Sequence, residues 1–142
     1  MGDMRIMLVD DNGDLRRGMR DYLARQEGMK VVAECPSGAE ALEALGKVRV
    51  DVMVLDLIMP QMDGFDVLRV MKYHAWLDEI PVIVISATED TASIERAYDL
   101  GVTDYIRRPF ERIMVLRRVK NVLMLYAKQK RLTRLVTDQV YE

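Results

Sequence analysis

Cysteine and histidine are nearly absent. Cys35 and His74 are the sole residues of their types among 142. A lone thiol cannot close an intrachain disulfide, and it cannot build a zinc site from thiolates alone. Long hydrophobic runs are missing as well, and none approaches the ~20 residues of a membrane-spanning helix. The first five residues carry two charges and lead straight into a strand-like run, so they do not read as a signal peptide. There is no internal repeat and no low-complexity stretch. These absences point to a cytoplasmic protein without a membrane partner.

What remains is a globular balance, half hydrophobic and 31% charged, far from the disordered regime. The length fits one domain of the usual ~100–200 residues. The net charge of −2 hides an asymmetry. Residues 1–106 hold 11 basic and 20 acidic side chains, whereas residues 107–142 hold 10 and 3. A basic tail can meet nucleic acid, membrane or an acidic partner. Here the basic residues are spaced along a helical pattern rather than blocked, so a solvated helix face is the plainer reading, and nucleic acid is not an expected partner.

Short apolar runs alternate with helical patterns. The runs Ile6–Val9, Val31–Ala33, Val52–Leu55, Val82–Ile85 and Asp104–Ile106 read as strands. Asp14 is the expected cap of a first helix running to about Glu27, with Leu15, Met19, Tyr22 and Leu23 on one face. Helices are also expected over Ala39–Leu45, from about Phe65 into the seventies, over Thr91–Leu100, and from about Glu111 almost to the end. The first, third and fourth strands are continuous apolar runs, as in strands covered on both faces. Such alternation predicts a doubly wound parallel α/β sheet of five strands.

Polar residues collect at the carboxyl ends of those strands, where such sheets bind ligands. Asp10 and Asp11 follow the first strand, Asp56 ends the third, Ser86 ends the fourth and Arg108 follows the fifth. A lone aspartate after a strand is most often a turn or helix cap. Residues of this kind at the ends of four strands form a pattern. If the first and third strands are neighbours, three carboxylates converge, and they repel one another unless a cation joins them. An all-oxygen ligand set suits a hard cation such as Mg2+. Ser86 and Arg108 are placed to hold phosphoryl oxygens. The implied chemistry is phosphoryl transfer, with an aspartate as a possible nucleophile.

The stretches Leu8-Val9-Asp10-Asp11, Asp56-Leu57-Ile58-Met59-Pro60-Gln61-Met62-Asp63-Gly64, Ile85-Ser86-Ala87 and Gly101 to Phe110 stand in a characteristic order and spacing. On these residues the chain resembles the receiver domain of two-component response regulators. The resemblance covers residues 5 to about 122 and implies a flavodoxin-like sheet of order 2-1-3-4-5. It implies that Asp56 is the phosphoacceptor for a sensor histidine kinase or phosphotransfer protein. Asp11 would be a direct Mg2+ ligand, Asp10 a helper partly through water, and the Ile58 carbonyl a further ligand. Ser86 would be the switch hydroxyl and Tyr105 the switch aromatic. One position departs: the family has Lys before the Pro-Phe pair, and this chain has Arg108, which keeps the charge but is planar and longer. The Arg108–Pro109 bond is expected to be cis.

Other readings are weaker. A phosphate-ester hydrolase with an aspartate nucleophile wants an acid–base Asp two residues later, where Ile58 stands. A pseudo-receiver that only binds partners is at odds with the intact Asp10, Asp11 and Asp56. A flavin module wants a Ser/Thr/Gly-rich phosphate loop after the first strand, which is missing.

His74 reads as a solvated residue at a helix end, Cys35 as a small buried strand residue, and Trp76 as a packing lid near the end of the third helix. The last helix is longer than a domain edge needs. Val115 and Leu116 are expected to close the core. Beyond them Val122, Leu125, Gln129, Leu132, Val136 and Gln139 recur at spacings of 3 and 4, a coiled-coil seam with two polar positions. The expected organisation is a receiver over 4–122 and a helical linker over 123–142. The linker would pair in a parallel homodimer and lead to an output domain of a longer protein. The run from Arg118 to Leu123 and its basic continuation resemble linkers that precede cyclic-nucleotide output domains.

Overall fold

A computed structural model of the chain describes residues 3–87 and 90–141, with side chains as far as Tyr126. Strands and helices alternate as β1 (Met4–Val9), α1 (Gly13–Ala24), β2 (Met29–Cys35), α2 (Gly38–Leu45), β3 (Val52–Asp56), α3 (Gly64–Tyr73), β4 (Val82–Ser86), α4 (Thr91–Leu100), β5 (Asp104–Arg107) and α5 (Arg112–Tyr141). A single 3-10 turn, Trp76–Asp78, separates α3 from β4. The sheet is parallel throughout with strand order β2-β1-β3-β4-β5. This is the doubly wound, flavodoxin-like fold expected.

Alternation along each strand sorts side chains to two faces. Ile6, Leu8, Val52, Val54, Ile83 and Ile85 meet Met19 and Leu23 of α1 and Val115, Leu116 and Val119 of α5. Met7, Val9, Met53, Leu55, Val82 and Val84 meet Ala41 of α2, Val67, Leu68 and Met71 of α3, and Ala97 of α4. Every residue of β3 and β4 is buried, which is why those segments are unbroken apolar runs. Cys35 is buried at the end of β2. No helix among the described residues is long and apolar enough to cross a membrane.

Several element ends differ from the sequence expectation, each for a local reason. Asn12 caps α1, not Asp14: the Asn12 side chain accepts the Leu15 N–H at 3.1 Å, while Asp14 pairs with Arg17 one turn on. α1 stops at Ala24 because Gln26 satisfies its last carbonyls, its backbone N–H reaching Leu23 and its side chain reaching Tyr22. β2 is longer than its apolar stretch because pairing with β1 runs from Met29 to Cys35. Trp76 does not belong to α3: Ala75 takes a left-handed φ of 60° and starts a separate turn. There Trp76 is half-buried against the core and stacks on the exposed His74 ring at 4.6 Å. Val122 is not free for a seam. It and Leu123 are buried with the α1/α5 face of the core, whereas Leu125 is 63% exposed. The side chains of Gln129, Leu132, Val136 and Gln139 lie outside the described residues.

Gly64 opens α3 against the end of β3. A Cβ there would stand 2.7 Å from the Leu57 Cα and 2.8 Å from the Asp56 carbonyl oxygen, both backbone atoms that cannot move aside cheaply. The Gly64 N–H donates to the Leu57 carbonyl at 2.9 Å and holds this approach. Gly64→Ala is expected to destabilise the fold by about 1–3 kcal/mol, as overpacking typically does. Gly46→Ala, whose new methyl meets its nearest neighbour at 3.5 Å, serves as the neutral-to-stabilising control. Urea denaturation of both variants measures the difference.

Candidate functional site

Strand register builds the site. Val9 pairs with Leu55 across β1 and β3, so the next residues, Asp10 and Asp56, come level. Asp56 pairs with Ile85 across β3 and β4, and Ser86 with Arg107 across β4 and β5. Asp10, Asp56, Ser86 and Arg108 therefore finish on one line at the carboxyl edge of the sheet. The order reverses between β1 and β3, which opens a crevice there.

Carboxylate oxygens of Asp10, Asp11 and Asp56 lie within 4.8 Å of one another. Asp56 is 8% exposed, Asp10 half-buried and Asp11 exposed. Asp10 is doubly engaged. Its Oδ1 accepts the Asn12 N–H at 2.9 Å and its Oδ2 accepts from Arg108 Nη2 at 2.8 Å. Asp56 Oδ1 accepts the Ile58 N–H at 3.2 Å, and its Oδ2 lies 3.8 Å from Arg108 Nη2. The Arg108 backbone is pinned by its N–H on the Ser86 carbonyl at 3.0 Å, and its guanidinium stands 5.6 Å over the Phe110 ring. The Arg108–Pro109 peptide bond is cis, as the resemblance implied. Ser86 is fully buried, and Tyr105 is half-buried against the α2–α4 face of the core. An all-oxygen trio of this span, one member open to solvent, fits a hard divalent cation.

Burial pushes the Asp56 carboxyl up to about 7, with the Asp10 charge adding to the rise; the Ile58 N–H and the Arg108 guanidinium oppose it, and Asp11 raises it further. A like-charged, desolvated carboxylate is costly to ionise without a cation.

Arg16 was not marked by the sequence reasoning. Its Nη1 donates to the Asp10 carbonyl at 2.7 Å and its Nε faces Glu34 at 3.4 Å, with the side chain only 12% exposed. This guanidinium ties the loop carrying the carboxylates to α1 and β2. Its spacing of three from Met19 and seven from Leu23 puts it on the buried face of α1, a signal that was available. His74 and Trp76 precede β4 and so sit at the opposite end of the sheet from the carboxylates.

The fold and this line of residues describe a receiver, and sequence comparison agrees. The profile of the response regulator receiver domain matches residues 6–120. The chain belongs to that family. It is similar to response regulator RR06 of Streptococcus pneumoniae, 33% identical over 123 residues, covering 87% of this chain and 54% of that one. It is also similar to a protein-glutamate methylesterase/protein-glutamine glutaminase of Pyrococcus abyssi, 34% identical over 130 residues, covering 89% of this chain and 34% of that one. The chain thus spans about half or less of the length of these curated relatives. Among solved structures, the REC domain of AraT, a response regulator from Geobacillus stearothermophilus, superposes with a TM-score of 0.77 at 30% identity, covering 89% of this chain and 98% of that one.

Because the folded Asp56 binds its proton more tightly than an unfolded aspartate, its stability contribution is full at low pH. It is lost as pH rises from about 4 through about 7. In EDTA, Asp56→Asn is expected to match the parent near pH 4 and to exceed it by about 1–3 kcal/mol above pH 7.5. Thermal melts across that range read the gap; a constant offset at every pH contradicts it.

Proposed function

We propose that this chain is a phosphorylation-operated receiver in which Asp56 is the phosphoacceptor. One Asp56 carboxylate oxygen attacks the phosphorus of a phosphohistidine on a sensor histidine kinase or phosphotransfer protein. A P–O bond forms, the P–N bond breaks, and the histidine leaves. The observation that carries this reading is the convergence of Asp10, Asp11 and Asp56 within 4.8 Å at the sheet edge. Asp11, Asp56 and the Ile58 carbonyl would hold Mg2+, with Asp10 assisting through water since both its oxygens already accept hydrogen bonds. When bound, Mg2+ supplies positive charge that offsets the carboxylates and the phosphoryl oxygens.

Ser86 and Arg108 are the groups on the far side that would hold phosphoryl oxygens. Recruitment of Ser86 would free space for Tyr105 and reshape the surface of α4, β5 and α5. The chemistry is done on the protein itself, and the position two after Asp56 is Ile58, which offers no acid–base group for an external ester. With acetyl phosphate and Mg2+, the intact chain is expected to gain the mass of one phosphoryl group, and Asp56→Asn to gain none. Equal incorporation in the variant rejects the assignment.

The receiver unit is taken as 4–122 and residues 123–142 as a helical linker, in keeping with the exposure of Met124 and Leu125 just past the buried Leu123. With Val122 committed to the core, the pairing seam starts at Leu125. A parallel homodimer through Leu125, Leu132 and Val136, with Gln129 and Gln139 as its polar positions, would set two attached output domains side by side. The setting is cytoplasmic, and nucleic acid is not a partner of this segment. Leu132→Glu and a chain ending at Leu123 are expected to sediment as monomers where the full chain sediments as a dimer. Monomers throughout remove the dimer.

A further inference from the structure

The carboxylates of Asp10 and Asp56 are held by hydrogen bonds to their own oxygens. The Asp11 carboxylate is exposed, and among the described residues it accepts no hydrogen bond and joins no ion pair. Its place is therefore decided by the backbone from which it projects. That backbone is tied down at Asp10. The Asp10 N–H donates to the Cys35 carbonyl at 3.1 Å. The Asp10 carbonyl, part of the peptide plane that leads into Asp11, accepts from Arg16 Nη1 at 2.7 Å. Arg16 is itself braced. Its Nε faces Glu34 Oε1 at 3.4 Å, and the other Glu34 oxygen accepts from Arg20 Nη1 at 2.8 Å. Arg16 and Arg20 stand one turn apart on α1, so one carboxylate on β2 serves both. A guanidinium suits this place because its planar fork turns one N–H to a carbonyl and another to a carboxylate, and an ionised donor makes the stronger bond. By charge alone, a guanidinium beside a cation site works against the cation. Any gain from Arg16 must come from geometry.

We propose that Arg16, braced by Glu34, is a positioning residue for divalent-cation binding: by fixing the Asp10–Asp11 peptide plane it keeps the Asp11 carboxylate gathered with Asp56. Without that hold the peptide can rotate, and the cation has to order Asp11 as it binds, at a cost in affinity. Arg16 touches neither the cation nor the phosphoryl group; it acts through the backbone. The inference rests on the divalent-cation reading above, in which Asp11 is a direct ligand.

The test is calorimetric titration with Mg2+ on the full chain, Arg16→Met and Arg16→Lys. The sign of the change separates geometry from charge. Loss of a nearby positive charge would by itself tighten cation binding. Positioning predicts the reverse, with Arg16→Met binding Mg2+ about five- to tenfold more weakly. Arg16→Lys keeps an ionised donor for the Asp10 carbonyl and is expected to stay within about threefold of the parent. A partly unfolded variant lowers the binding stoichiometry and leaves the affinity of its folded fraction in place, so a merely structural role does not imitate the result. Equal or tighter binding by Arg16→Met overturns the proposal. Binding by Arg16→Lys as weak as that of Arg16→Met assigns the effect to packing and overturns it too. A flat isotherm in the parent overturns the cation reading, and the proposal with it. A second readout needs no metal. In EDTA, the backbone order parameter of Asp11, from NMR relaxation, is expected to fall from about 0.85 in the parent toward about 0.6 in Arg16→Met. An unchanged value there overturns the positioning role and leaves the cation reading standing.

Discussion

Three carboxylates confined within 4.8 Å are the constraint to which much of this molecule answers. Like charges this close repel, and left to themselves they would separate. The fold prevents separation by seating Asp10 and Asp56 at the ends of adjacent, fully hydrogen-bonded strands, with Asp11 on the following turn. For Asp56 it opposes protonation with the Ile58 N–H and the Arg108 guanidinium. The Asp56 carboxyl still lies near neutrality, because desolvation outweighs that help. The tension is the basis of function in this reading, since a group that relieves it, whether cation or phosphoryl, changes which contacts are worth keeping.

The scaffold under the cluster is rigid where the cluster needs it to be. β3 and β4 are buried on both faces, and a shift of either would expose apolar side chains to water on two sides. Arg16 binds the Asp10 carbonyl from below, while Gly64 lets α3 approach the backbone of Asp56 and Leu57. Movement is left to side chains at the rim. Arg108 has a neighbouring cavity, Tyr105 is only half-buried, and Asp11 is open to solvent. Such a division allows a charge change at one residue to be read out by a few neighbours without melting the core.

α5 belongs to two regimes. Through Leu123 it is a wall of the domain, with Val115, Leu116, Val119 and Val122 against the sheet and α1. At Met124 and Leu125 its apolar side chains leave that wall. A helix facing a sheet and a helix facing another helix bury residues at the same spacings of 3 and 4. That is why Val122 was legible as apolar and periodic yet was assigned to the wrong neighbour.

The sequence by itself determined the alternation of strands and helices, the buried strands β1, β3 and β4, and the polar residues that follow them. These depend on hydrophobic period and on residue types next to one another in the chain, which are local properties. Gly64 and the aspartates were legible as a motif for the same reason. The caps and ends were less so. Asn12 and Asp14 are both good cap residues, and the geometry of one N–H decided between them. Only the tertiary structure decided that Arg108 reaches back across 98 positions to Asp10, that Arg16 lies under the Asp10 carbonyl, and that a cavity adjoins both carboxylates. Each depends on how far apart strands, helices and side-chain tips come to rest after packing. No spacing along the chain encodes that distance, because it is set by the volumes of all the residues between.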